Sequence, residues 1–403
     1  MSQRSTRLSL LLLLSGTLSG CQFVIGVDGD LPGGATSEQV QANDLGAADE
    51  FGSAVAIDGD TMIVGASQED PGGLTEAGAA YVFTRVDGAW VQQVKLVASD
   101  ASAIDFFGAS VAIFGNTAVV GAPGANNNSG SAYVFERSGE VWTETAKLAG
   151  ASQLANVVFG TSVAISGARV IVGSPLFSSA YVFERGAGDW PLEQRLFTNA
   201  SGTSFGQSVA IRGNTAVVGA TRDDSAGAEA GAAYVFAFVA DNWEVEATLT
   251  VGVGIRTDEF GSSVTLDGDT TIVGARFRDD AGDNTGAAYV FTRRGTAWQQ
   301  QAKLLPSEGQ PADEFGSSVS LVGDTALVGA PGSDLEREDA GAAYLFARDG
   351  ETWTEINTLH DSDPSRAANF GKSVALETDF AIVGSPNDND GAQDAGSVTS
   401  FSL

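Results

Sequence analysis

The chain has one cysteine, one histidine and two methionines in 403 residues, and its 21 basic residues face 51 acidic ones. Each shortage excludes something. A single thiol, Cys21, cannot form an intramolecular disulfide, so the folded part must stand on packing alone. A single imidazole, His360, cannot supply the two or three ligands of a histidine-based metal site. No nucleophile-elbow motif accompanies it for a Ser-His-Asp arrangement either. A formal charge of −30 with no basic stripe repels phosphates and argues against nucleic acid as a partner. There is no helical period anywhere, no P-loop and no dinucleotide fingerprint, because the glycine-rich turns sit between β-patterned segments rather than before helices. The one long apolar run, LSLLLLLSGTL (8–18), is of secretory h-region length and too short to span a bilayer comfortably.

What surrounds that run is informative. Arg4 and Arg7 precede it, and Leu18-Ser19-Gly20-Cys21 follows it. The segment 1–20 resembles a bacterial lipoprotein signal with its lipobox. The resemblance implies cleavage before Cys21 and lipid on its thiol; an ordinary cleaved signal with an incidental cysteine is the alternative. Residues 21–36 then read as anchor and tether, and 37–403 as the folded domain.

The domain is written as one unit used seven times. Phe-Gly recurs at Phe51, Phe107, Phe159, Phe205, Phe260, Phe315 and Phe370, at steps of 46 to 56 residues. A period of this size means a solenoid, an array or a propeller, and the content of the unit chooses. In the copy at 260–314, FGSSVTL and TTIVGA alternate as strands around the tight turn Asp267-Gly268-Asp269. The polar stretch 276–285 leads to a third strand, GAAYVFTR, and a turn leads to a fourth, WQQQAKLL. Four short antiparallel strands per repeat describe a propeller blade. All six tryptophans fall on the fourth strand and all six tyrosines on one slot of the third. Repetition at fixed slots predicts packing between blade faces rather than ligand stacking.

The ends predict closure. The seventh unit stops at Leu403 after its third strand, while 37–50 matches the end of a fourth strand plus connector. The expected fold is therefore all-β: a single seven-bladed propeller of four-stranded antiparallel blades, with residues 37–42 completing blade seven in a 3+1 closure that leaves no open edge.

The seven units resemble FG-GAP repeats, the blade unit of integrin alpha-chain propellers and of many bacterial surface proteins. The second halves of the motif are Gly65-Ala66, Gly121-Ala122-Pro123, Gly173-Ser174-Pro175, Gly219-Ala220, Gly274-Ala275, Gly329-Ala330-Pro331 and Gly384-Ser385-Pro386. Calcium-binding members carry a D-x-D-x-D-G-x-x-D loop between the two halves. Here that place holds turns such as Asp58-Gly59-Asp60, Gly115-Asn116 and Gly323-Asp324, too short to wrap a cation with six or more oxygens. Calcium dependence is not inherited from the resemblance.

Acid concentrates instead in the loops between second and third strands (67–77, 221–230, 276–285, 331–340, 386–395) and in the connectors between blades. Connectivity puts both classes on one end of the disc, which is expected to be broad and acidic. Blade three is the exception, with the short uncharged PLFSS (175–179) leaving a notch. Asp388, Asp390 and Asp394, in D-x-D-G-x-x-D, resemble part of a calcium loop and are the candidate metal ligands; a solvated acidic loop is the alternative. No carboxylate pair stands apart for glycoside hydrolysis.

These features lead to the expectation of a monomeric, non-catalytic propeller, lipid-anchored in a bacterial cell envelope, at the outer membrane or cell surface. Its acidic loop face would bind a protein or polysaccharide. A carbohydrate-binding or carbohydrate-cleaving propeller is the alternative.

Overall fold

A computed structural model describes residues 36–150, 157–198, 202–252, 258–279, 282–362, 365, 367–389 and 392–403. Its strands form seven four-stranded sheets, in each of which neighbours in the sheet are antiparallel. In the fifth sheet the strands are Phe260–Asp267, Thr270–Ala275, Ala287–Arg294 and Ala297–Leu304, as the repeat pattern requires. The first strand of each sheet contacts the first strands of both neighbouring sheets, and this chain of contacts runs from the first sheet to the seventh and back. The seven first strands therefore line the axis of a closed ring. The architecture is a seven-bladed β-propeller.

The closure is 3+1. Ser37–Val40 pairs antiparallel with the third strand of blade seven, Ser397–Ser402, opposing Ser37 to Phe401 and Val40 to Val398. The expected 37–42 strand is realised as its first four residues.

Second strands such as Thr61–Ala66 and Thr117–Ala122 are buried at every position, because both of their faces meet neighbouring blades. The core is accordingly not one mass but seven wedges, each between two adjacent blades. The repeat phenylalanines sit in these wedges. Phe51 meets Tyr81 edge to face at 5.6 Å and Phe83 at 5.9 Å, and the same pair of contacts recurs at Phe107, Phe159, Phe205, Phe260 and Phe315. Blade seven lacks the tyrosine, and there Phe370 keeps only the contact to Phe401. The tryptophans tie blades together: Trp90 Nε1 donates to Ser400 Oγ of blade seven (3.0 Å), and Trp142, Trp243, Trp298 and Trp353 each donate to a side chain of the preceding blade. Both aromatic sets pack between blades, as their fixed slots predicted.

One detail differs from the repeat pattern. In blades two, three, six and seven the first strand begins three or four residues after the phenylalanine, at Ser110, Val163, Ser318 and Ser373. In blades one, four and five it begins at the phenylalanine but the register shifts just after it. The cause is the glycine of the Phe-Gly pair, which takes positive φ in every blade (94° at Gly52) and bends the chain out of the ladder.

Candidate functional site

The connectors and the loops between second and third strands are hydrogen-bonded to one another by backbone. The connector entering blade two runs along the blade-one loop, with Ile104, Phe106 and Phe107 N–H donating to Thr75, Glu76 and Ala77 carbonyls at 2.9–3.1 Å. The same ladder recurs from 312–315 to 283–285, from 367–370 to 338–340, and across the closure from 48–51 to 393–395. Each connector also reaches forward: the carbonyls of Asp49, Asp105, Asp258 and Asp313 accept from the loop of the blade they enter. The two loop classes thus share one end of the ring.

Much of the acid at this end is committed to holding the loops. In five blades a side chain near the start of the loop accepts a backbone N–H five or six residues on: Asp70 from Glu76, Asp224 from Glu229, Asp279 from Asn284, Asp334 from Asp339 and Asn389 from Asp394, at 2.7–2.9 Å. Every residue that donates has a φ of 52–54°, a conformation few non-glycine residues hold without help. This clamp was not anticipated from the sequence. Its signal was there, as an Asp or Asn followed five or six residues on by Glu, Asp or Asn and then Ala-Gly or Thr-Gly.

The clamp changes the reading of the D-x-D-G-x-x-D segment. Asp388 is fully buried; its Oδ2 accepts from Gln39 Nε2 (3.0 Å) on the closing strand and its Oδ1 from Ser365 Oγ (3.1 Å). Asp394 is the residue whose backbone is clamped, by Asn389, and its side chain is half-buried. Asp390 lies outside the described residues, as do Cys21 and the whole of 1–35. The segment is blade seven's version of a loop that four other blades also build. Among the described residues no group of three or more His, Cys, Asp or Glu side chains converges as a metal cluster. The turns between first and second strands are two residues long, as between Asp58 and Thr61 or Val322 and Thr325.

Beneath the loops lies a ring of buried carboxylates two residues before the repeat phenylalanine: Asp49, Asp105, Asp258 and Asp313, none more than 6% exposed. Asp49 and Asp105 accept the N–H of the residue three before them, Gly46 and Ser102, and Asp258 pairs with Arg278 at 2.6 Å. Burial pushes the Asp49 and Asp105 carboxyls above the ordinary range and drives that of Asp313 up to about 6. In blade one, Lys95 bridges Asp44 (2.8 Å) and Glu69 (2.6 Å) beneath the loop.

Blade three departs from its neighbours. A single 3-10 turn, Pro175–Phe177, replaces the long loop; Leu176 is 67% and Phe197 54% exposed. The Arg195 guanidinium lies over both Phe177 (4.5 Å) and Phe197 (5.2 Å). His360, the one histidine, turns its Nδ1 to the Asp361 carbonyl at 3.1 Å and its Nε2 to Glu336 at 3.8 Å.

The sequence model of the FG-GAP repeat matches residues 37–83, 90–135, 142–183, 193–236, 243–291, 298–346 and 353–399. The chain belongs to the FG-GAP repeat family. Each matched unit after the first starts on or beside the outer strand of one blade and ends in the third strand of the next, so the FG-GAP unit spans a blade junction. The first unit, 37–83, does so across the closure. A comparison with curated proteins found no match.

Proposed function

We propose that this FG-GAP propeller is a non-catalytic binding platform of a bacterial cell envelope, held to a membrane by lipid on Cys21. The observation that carries the reading is the contrast between ring and loops. Seven equivalent wedges make the body rigid, while the loops at one end differ from blade to blade in length and charge. Variable loops on a rigid scaffold are where binding proteins place their contacts. The loop clamps support this, because they pre-order segments that would otherwise lose entropy on binding. The ligand is a protein or polysaccharide on the acidic loop end. Attachment is tested by metabolic labelling with a fatty-acid analogue: label on the wild type and none on Cys21→Ser is expected, and equal label on both removes the anchor. Binding is tested by capture from envelope extract with and without chelator. Loss of the captured species from a variant with neutralised loop acids (Glu76, Glu229, Asp339) supports the platform; identical capture by both proteins sinks it.

A carbohydrate-binding role rests on a separate observation, the Phe177–Arg195–Phe197 stack at the blade-three notch, of which Phe197 is exposed. Aromatic faces beside a guanidinium suit the apolar face and hydroxyls of a sugar. A glycan array with wild type and Phe197→Ala separates it: binding lost in the variant favours the sugar, and an empty array discards it.

A further inference from the structure

The third strand of each of the first six blades carries a tyrosine, and the outer strand places one residue directly opposite it. That residue is Lys95, Lys147, Arg195, Thr248, Lys303 and Thr358 in blades one to six, and Gln39 faces Thr399 in blade seven. The slot lies beside the buried loop acids, and blades supply those acids with donors. Lys95 pairs with the buried Glu69, and Lys147 pairs with the exposed Asp100 while its charge also acts on the buried Asp105. In blade five Arg278 holds Asp258, and in blade seven Gln39 holds Asp388. Blade four has Thr248 in the slot and Thr203 at the place of the connector aspartate, and its loop Asp223 is satisfied by Ser225 and Tyr234.

Blade six keeps the acid and drops the cation. Asp313 is 1% exposed; its Oδ2 accepts the Gln310 N–H at 2.7 Å, and its Oδ1 meets no donor among the described residues. Two hydroxyls of the same pocket, Ser333 Oγ and Tyr344 OH, are also buried; they lie beside each other, and neither finds a further hydrogen-bond partner among the described residues. They belong together: the Gly332 N–H donates to the Asp313 carbonyl, and Ser333 holds the loop position from which Asp223 accepts its tyrosine in blade four. Thr358, in the lysine slot, turns to Glu355 at 3.2 Å. The other charges acting on Asp313 and Tyr344 are Asp334, Glu308 and Glu355, all acidic.

We propose that the pocket of Asp313, Ser333 and Tyr344 binds a small monovalent cation, which stands where blades one, two, three and five place their own lysine or arginine. A buried carboxylate with an unmet oxygen calls for a counter-charge. The donors are all oxygens, which selects a hard ion or an ammonium group over a soft metal. One carboxylate balances a single charge, whereas divalent sites gather several carboxylates. The ammonium group could be free or borne by a partner's lysine, and the test separates these from a metal ion.

Thermal unfolding of the purified protein is recorded at pH 8 in choline chloride, then in sodium, potassium and methylammonium chloride at equal ionic strength. A midpoint raised by about 2 °C over choline is expected for the wild type, since a ligand of the folded state alone must stabilise it. A response to sodium or potassium only assigns a free ion; an equal response to methylammonium assigns an ammonium head. In Thr358→Lys, the blade's own lysine is restored: the choline midpoint should rise and the cation response vanish. Asp313→Asn should abolish the response as well, while keeping an acceptor for Gln310. The same cation response in wild type and Asp313→Asn, or no response in the wild type, overturns the site.

Discussion

A β-carbon placed on Gly384 would lie 2.1 Å from the carbonyl oxygen of Gly52, 332 residues earlier in the chain. The same approach joins Gly65 to Gly108, Gly121 to Gly160, Gly173 to Gly206, Gly219 to Gly261, Gly274 to Gly316 and Gly329 to Gly371. The two halves of the repeat motif, the Phe-Gly pair of one blade and the Gly-Ala or Gly-Ser of the blade before it, are therefore the two sides of one contact between blades. A serine on the first strand of the Gly-Ala or Gly-Ser blade, two residues after that blade's own Phe-Gly glycine, closes it, as where Ser373 Oγ donates to the Gly52 carbonyl at 2.7 Å. Substituting Gly384 by alanine should cost about 1–3 kcal/mol or more, because backbone on both sides must move. Alanine at Gly59, which has φ of 56° but nothing within 4 Å, should cost less. Chemical denaturation of both variants measures the difference.

The closing strand should be worth more than its four residues. Removing 37–42 strips Val40 and Ala42 from the wedge between blades seven and one and uncovers the outer edge of blade seven. A lowered unfolding midpoint for the whole ring is the expected outcome. A midpoint equal to that of the intact protein would show that the ring does not need its 3+1 closure.

Trp90→Phe should remove the hydrogen bond to Ser400 while keeping most of the ring in place. A loss of about 1–3 kcal/mol is expected, since the buried serine hydroxyl is left without this donor. The double variant with Ser400→Ala should recover part of it, and a double-mutant cycle reports the coupling.

The loop clamps predict a chemical rather than a charge dependence. Asp334→Asn should leave stability nearly unchanged, because the amide oxygen still accepts the Asp339 N–H; Asp334→Ala should lose about 1 kcal/mol. Hydrogen exchange at Asp339 is the local readout: protection retained in the asparagine variant and lost in the alanine variant. Equal protection in both would mean that the side chain does not hold the loop.

Asp313 sets a pH dependence with a definite sign. Burial, with a smaller push from Asp334, raises its pKa from 3.8 to about 6. Between those values the folded protein keeps a proton that the unfolded chain has released. Its contribution to stability is therefore full below about pH 4, falls as pH rises to about 6, and stays lost above that. The charge acting on it is Asp334, and Tyr344 beside it is in turn influenced by Glu308 and Glu355; none of these is cationic. In choline chloride, Asp313→Asn should be more stable than the wild type at pH 8, and the gap should close toward pH 4. A gap that is constant with pH would show that Asp313 titrates normally.

Periodicity carried the fold. Phe260 and Phe315 sit 55 residues apart in almost identical words, and period-2 alternation after each fits nothing but short strands. The closure was legible for the same reason, since 37–50 is a piece of the unit that the C-terminus lacks. Repeats state their own boundaries, so counting strands was enough to place Ser37–Val40 beside Ser397–Ser402. Local sequence could not say which carboxylates would be buried. Asp334 and Asp313 stand in two similarly acidic stretches, yet one lies exposed and clamps its own loop while the other lies beneath two loops with no cation paired to it among the described residues. That difference comes from the connector of one blade crossing the loop of the next, a contact between residues far apart in the repeat. The identity of the residue across the sheet matters equally: Lys95 faces Tyr81 and Thr358 faces Tyr344 only because the strands pair in that register. Composition made the chain acidic and repetition made it a propeller; the tertiary structure decided which charges solvent screens and which the protein must neutralise, because burial is a property of neighbours in space.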